Sequence, residues 1–311
     1  MNKIEKRKSS FTQSKRKETF FVWAMLALPL ISWVVWYWYV NFSSFVNAFK
    51  DASGNWSFIN FKTFWESLTA PSTELGSINT GLKNTLGYYL QDLLLFFPLQ
   101  ILLAYFLYKR IWGYRFFRVI FYLPSIVATV AMTAVFKAMI ATDGPLGTIM
   151  AALGHPMEYG LLSVPATATK TIMAYKLWVC LASRMLLLGG ALARIPMEVM
   201  ESARLDGVGP WKELIYMIIP MISSTLVTYL ILGTTGIIGA SGPILLLAPA
   251  HQSLGTTTLS YWIFDKVYAG GQHMGGQYNL VSATGLAFTA VLVPFVLTVR
   301  WLLEKIDVVE Y

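Results

Sequence analysis

Residues 195–220 read IPMEVMESARLDGVGPWKELIYMIIP, a charged interruption between two long apolar runs. Glu198, Glu201, Arg204, Asp206, Lys212 and Glu213 all fall inside it. Met197 to Leu205 consists of good helix formers, with acidic residues early, where they favour the positive end of a helix dipole. Gly207 and Gly209 permit a turn that residues bearing a Cβ resist. Pro210 suits the first position of a second helix, which continues through Ile219 and meets the next apolar run at Pro220. The spacing predicts a helix-turn-helix elbow between two membrane-like segments. Met197, Met200, Ala203, Leu205 and Trp211 make it more apolar than a solvated loop needs. Spacing alone leaves two readings open: an elbow that docks onto a partner, and an amphipathic connection lying on a membrane surface.

Composition settles the class around it. Of 311 residues, 56% are apolar and only 13% charged, with a mean hydropathy of +0.55. A soluble domain is about one-quarter charged, so this surface is not built to face water. The aromatic share, 15%, suits a protein with aromatic belts at membrane interfaces. A net charge of +8 raises nucleic-acid binding as a possibility. Its location argues otherwise: Lys3, Lys6, Arg7, Lys8, Lys15, Arg16 and Lys17 cluster ahead of the first apolar run, where they act topogenically. The single cysteine, Cys180, excludes an intrachain disulfide and reads as a small packing residue.

Apolar runs long enough to span a bilayer, about 20 residues, fall at 20–42, 85–108, 116–141, 171–193, 218–240 and 280–303. The first is too long for a signal peptide and lacks a small-x-small site after it, so it reads as an uncleaved anchor. The third is expected to break at Pro124. Residues 47–84, 142–169 and 241–279 read as loops, the first with room for a short amphipathic piece, and Gly144-Pro145 and His155-Pro156 mark turns. Basic residues test the orientation. The N-terminal tail, residues 109–118, residues 194–212, Arg300 and Lys305 share one side. The longer opposite loops hold chiefly Lys50, Lys62, Lys83, Lys170 and Lys266. Positive residues concentrate on the cytoplasmic side, so both termini and the elbow are expected there.

With that topology in hand, Glu201-Ser202-Ala203, Asp206-Gly207 and Ile219-Pro220 resemble the EAA loop of the permease subunits of ATP-binding-cassette (ABC) importers. Ile195-Pro196 and Glu198 resemble its lead-in. Ser202 and Val208 stand where alanine is commoner, and Leu214 where phenylalanine is. Asn84-Thr85-Leu86, Ser241-Gly242-Pro243, Thr256-Thr257-Thr258-Leu259, Tyr261-Trp262-Ile263-Phe264 and Tyr278-Asn279-Leu280-Val281-Ser282-Ala283 are similar to a series in the MalF/UgpA-like carbohydrate permeases. The resemblance runs from about Phe20 onward.

It implies an all-α membrane protein with six transmembrane helices, the type I ABC importer permease fold, with residues 1–19 as a basic cytoplasmic tail and 20–311 as the permease domain. It implies that residues 195–220 hold a coupling helix on a cytoplasmic ATPase. There Glu201 engages the ATPase, Asp206 and Gly207 form the turn, Met200 and Ala203 supply apolar contact, and Glu198 and Ser202 complete the segment. The implied partners are a second permease subunit, homologous but different, an ABC ATPase dimer, an extracytoplasmic solute-binding protein and a carbohydrate; no nucleic acid is implied. The chain is expected to bind no cofactor of its own. It has no G-x-x-x-x-G-K-[ST] loop, so ATP is hydrolysed by a partner subunit.

Polar groups inside spans are functional candidates by default. They are Gln91, Asp92 and Gln100, then Lys176 and Arg184, then Thr225, Thr228, Thr234 and Thr235. Tyr88 and Asp92 share a helix face, and Tyr175 lies three residues from Trp178. Aromatic platforms beside hydrogen-bonding groups suit sugars, so Tyr88, Gln91, Asp92, Tyr175, Trp178 and Thr228 are the candidate substrate path. The alternative is that Asp92, Lys176 and Arg184 pair among themselves or with a partner, and that the aromatics pack. Three other functions compete: an ABC permease for a non-sugar solute, a membrane enzyme, and a stand-alone secondary transporter. The enzyme reading finds no H-E-x-x-H or G-x-S-x-G, and His155, His251 and His273 are scattered over predicted loops. The carrier reading expects matched repeats, and none is visible.

Overall fold

A computed structural model describes residues 3–69, 77–181, 184–237, 239, 243–248, 255–268 and 277–305. Ser241, Gly242, His251, His273, Pro71, Gly76 and the tail from 306 lie outside them. The described chain is helical; the one β-type pairing seen there is an isolated bridge between Lys50 and Trp56. Among the described residues, four helices are long and apolar enough to cross a membrane, or six spans if two bent pairs each count as one.

The chain divides into two compact units, residues 1–64 with 273–287, and residues 65–272 with 288–311. In the first, α1 (Lys3–Trp33) passes through a wide turn at Val34–Tyr39 into α2 (Val40–Ala48). Its apolar stretch lies open along its length, from Phe20 at 75% exposure to Tyr39 at 74%. Such a surface is stable only against lipid or another apolar face. The turn after α2 is organised by Asp51, whose Oδ1 accepts from the N–H groups of Ser53 and Asn55 at 2.8 and 2.9 Å. Asn60, in α3 (Ile59–Thr69), donates to the carbonyls of Ala48 and Lys50, and Asn279 donates to that of Asp51.

In the second unit, α4 (Ile78–Gln91) and α5 (Phe97–Tyr108) form one span with a wide turn at Asp92–Phe96. Pro98 follows that turn. Proline has no N–H to donate and its ring clashes with the carbonyl four residues back, so the helix locally widens. The same happens at Leu214–Ile218, ahead of Pro220.

The breaks differ from expectation. α6 (Tyr114–Ile126) runs straight through Pro124. The chain turns instead at Val127 and Ala128, which are extended (ψ 144 and 134), and bends by 110° into α7 (Thr129–Ile140) and the residues up to 152. The expected loop 142–169 holds α8 (Pro145–Ala152), and α9 (Pro165–Cys180) starts earlier than residue 171. α10 (Met185–Leu192) completes that span. The span after the elbow is bent by 76° at Ile222, between α13 (Ile219–Met221) and α14 (Ser223–Thr235). The polar stretch 241–279 contains α15 (Ile244–Leu247) and α16 (Leu259–Tyr268); α17 (Gln277–Leu303) follows.

Among the described residues, apolar clusters hold this unit, two of them large. One joins Ile101, Tyr105, Leu188, Leu192, Met200 and Ile218; the other joins Tyr88, Phe136, Ile172, Tyr175 and Leu247.

Candidate functional site

The elbow is built first by local rules. α11 (Met197–Leu205) ends in a Schellman turn. Gly207 takes the left-handed conformation at φ +70, and the Val208 N–H bonds back to the Ala203 carbonyl at 3.0 Å. A Cβ at Gly207 would meet nothing within 4 Å, so the glycine is there for its backbone and not for space. α12 (Pro210–Glu213) then begins with proline in its first turn.

Its faces divide cleanly. Glu198, Glu201, Ser202, Asp206 and Gly207 are exposed, as are Met197, Leu205 and Trp211. Ser202 donates its hydroxyl to the Glu198 carbonyl. Met200 and Ala203, expected to offer apolar contact to a partner, are 5% and 1% exposed. This corrects their role within the segment: they face this chain's own helices, Met200 within the cluster around Leu192 and Ile218.

A polar anchor joins in. The Lys109 ammonium, at the end of α5, bonds both Glu213 oxygens at 2.9 and 2.8 Å, and Glu213 is 2% exposed. Tyr105 donates to the Pro210 carbonyl at 3.2 Å, and Trp211 meets Phe106 edge-on. Sequence reasoning counted Lys109 as topogenic and Glu213 as one more loop charge; nothing in the string pairs residues 104 apart.

A second polar constellation lies at mid-span. The wide turn at Asp92–Phe96 brings Asp92 onto a cavity of about 210 Å³, with Tyr89, Gln100, Lys176, Arg184 and Tyr229 among its walls. Lys176 donates to Asp92 Oδ1 at 2.7 Å and also sits over the Tyr88 ring. Arg184 donates to the Tyr229 carbonyl at 3.1 Å, with its guanidinium 4.5 Å from that ring's centre. The Tyr229 hydroxyl donates to Gln100 Oε1 at 2.5 Å, and Gln100 donates to the Cys180 carbonyl. Asp92, Lys176 and Tyr229 each fall near the middle of their spans.

Of the six predicted path residues, Asp92 alone lines this cavity. Tyr88 and Tyr175 are 2% exposed and belong to a packed cluster, with Tyr175 edge-on to Phe136 at 5.0 Å and near Trp178. Gln91 donates to the Met173 carbonyl at 2.8 Å, and the Thr228 hydroxyl turns back to Ser224 of its own helix. Tyr89, Gln100, Arg184 and Tyr229 take part instead. The signal for Gln100 and Arg184 was already there, in polar side chains within apolar runs.

Two of the family-like patches meet in space. Asn84 donates to the carbonyls of Gly255 and Thr257 at 2.7 and 2.8 Å, and the Leu259 N–H donates to Thr85 Oγ1 at 2.9 Å. Gly81 lets the strands of backbone approach: a Cβ there would lie 3.3 Å from Leu259 N. On α16, burial first and the nearby Asp265 carboxylate second push the Tyr261 hydroxyl above its usual pKa.

Comparison with known proteins follows the same lines. The lactose transport permease LacF of Rhizobium radiobacter is 26% identical over 200 residues, 64% of this chain and 59% of that protein, so the match spans about three-fifths of the relative. The multiple sugar-binding transport permease MsmF of Streptococcus mutans is 24% identical, covering 85% of this chain and 89% of its own. The polygalacturonan/rhamnogalacturonan transport permease YteP of Bacillus subtilis is 25% identical, over 97% and 93%. The crystal structure of a bacterial ABC transporter that imports the acidic polysaccharide alginate shares the fold, with a TM-score of 0.80 at 22% identity, covering 95% of this chain and 99% of the matched one. Residues 97–307, well over half the chain, match a single family, and the protein belongs to it: the binding-protein-dependent transport system inner membrane components.

Proposed function

We propose that this chain is the transmembrane permease subunit of an ATP-driven carbohydrate importer and forms half of its translocation pathway. The observation that carries the reading is the elbow. It presents Glu198, Glu201 and Asp206 outward while Met200, Ala203 and the Lys109–Glu213 pair tie it to the spans. A solvated loop needs no such anchoring. A surface that transmits force does, because packed interfaces switch between discrete arrangements and do not deform smoothly. Glu201 meets a basic group on a cytoplasmic ATPase dimer, which hydrolyses the ATP; this chain performs no catalysis. A second permease subunit completes the pathway, and an extracytoplasmic binding protein delivers the solute. Both termini, with the basic tail of residues 1–19, face the cytoplasm, as the distribution of lysine and arginine supports. The sugars in the names of LacF, MsmF and YteP support a carbohydrate cargo.

The test is reconstitution. A tagged chain purified from its native host should bring an ATPase and a second permease with it. In proteoliposomes the complex should import a saccharide only with ATP and the binding protein. A chain that purifies alone and transports without ATP is a stand-alone carrier, and the proposal fails.

A further inference from the structure

The charges around the mid-span cavity do not balance. Asp92 and Lys176 neutralise each other at 2.7 Å. Arg184 is left over: it donates one N–H to the Tyr229 carbonyl and lies over that ring, and among the described residues no carboxylate comes within ion-pair distance of it. The other walls, including Tyr89, Gln100 and Tyr229, are uncharged, so the cavity carries one net positive charge at the middle of three spans.

A cation at that depth is costly unless something answers it. A neutral sugar gives no reason to keep it, because hydroxyl edges are satisfied by uncharged donors and acceptors. A carboxylate does. The guanidinium fork matches its two oxygens, and the Tyr229 ring, 4.5 Å away, holds the fork in place from one face. Tyr89, also in the lining, shares its hydroxyl with Thr234.

We infer that the saccharide carried is acidic, of the uronate class, and that Arg184 receives its carboxylate during passage. This rests on the carbohydrate-importer reading above and narrows it.

The experiment uses cells making the whole transporter, offered a mixture of uronate-containing and neutral oligosaccharides. Depletion of each from the medium is followed by mass spectrometry against cells lacking the ATPase. Uronate-containing members should disappear and neutral ones persist. Arg184→Gln should cut acidic uptake by about tenfold or more, the value of one charge-assisted contact. Arg184→Lys should keep part of it, and both variants should yield wild-type amounts of assembled complex. Depletion of neutral saccharides alone overturns the inference and leaves the carbohydrate reading intact. Depletion of neither class overturns both. Full acidic uptake by Arg184→Gln overturns it as well. So does loss of complex assembly in that variant, which would assign Arg184 to a partner subunit's carboxylate.

Discussion

The elbow and the mid-span cavity are made from similar parts, an ion pair with a tyrosine beside it, yet they handle charge in opposite ways. At the elbow, Lys109 and Glu213 cancel within the chain, with the carboxylate at 2% exposure, and the remaining acids are set outside in the open. At the cavity the pair is half open, with Asp92 at 43% side-chain exposure, and a further cation remains. Charge that is closed off holds one helix against another. Charge that is left over, whether outward acids or an inward arginine, is available to something outside the chain.

The first way to break that contrast is to open the closed pair. Lys109→Met leaves the Glu213 carboxylate buried with no cation, a change that costs about 3–5 kcal/mol when a buried pair loses one partner. The purified complex should melt well below the parent, and adding Glu213→Leu should recover most of the loss. A single variant as stable as the parent would show that the pair anchors nothing.

A smaller effect on stability, with a large one on transport, is expected at the turn. A side chain at Gly207 is strained by the left-handed backbone, by about 1–2 kcal/mol. Gly207→Asp should insert and assemble normally, yet lose uptake while ATP hydrolysis continues. Gly207→Asn, a residue that tolerates this conformation better than others, should keep more of it. Uptake and hydrolysis measured on the same preparation decide the point.

The smallest effect concerns the cavity's neighbours. The Tyr88 and Tyr175 hydroxyls are buried and have no hydrogen-bond partner among the described residues. Tyr88→Phe removes a buried unsatisfied hydroxyl and should therefore leave stability unchanged or raise it by about 1 kcal/mol, with uptake unchanged, as a melting curve beside a transport assay will show. Loss of uptake would return Tyr88 to the substrate path.

Hydropathy made the spans legible because crossing a bilayer demands length and apolarity, both of which are written locally. The elbow was legible for the same reason: Gly207, Pro210 and the acidic first turn act within a few residues. The turn at Val127 and Ala128 was not, because no glycine or proline marks it, while Pro124, which does look like a marker, sits inside an intact helix. α8 and α16 were hidden in stretches of polar and turn-forming residues. The contacts that define the site were also invisible, since Asn84 reaches Thr257 and Lys109 reaches Glu213 across long sequence separations. Tyr88 and Tyr175 misled in the other direction. An aromatic beside a polar residue looks the same in a sequence whether it packs or binds.

The span from α4 to α5 carries both constellations on one continuous piece of helix, Asp92 at its wide turn and Lys109 at its end. Seventeen residues at the α-helical rise make a strut of about 25 Å. Held at one end by Glu213, it links the elbow to the cavity along a single helical path. The widened turn, where Asp92 meets Lys176, lies at the other end of that path. A push delivered at the elbow would therefore reach the helix that carries the Asp92–Lys176 pair, and the widened turn is the first irregularity it would meet.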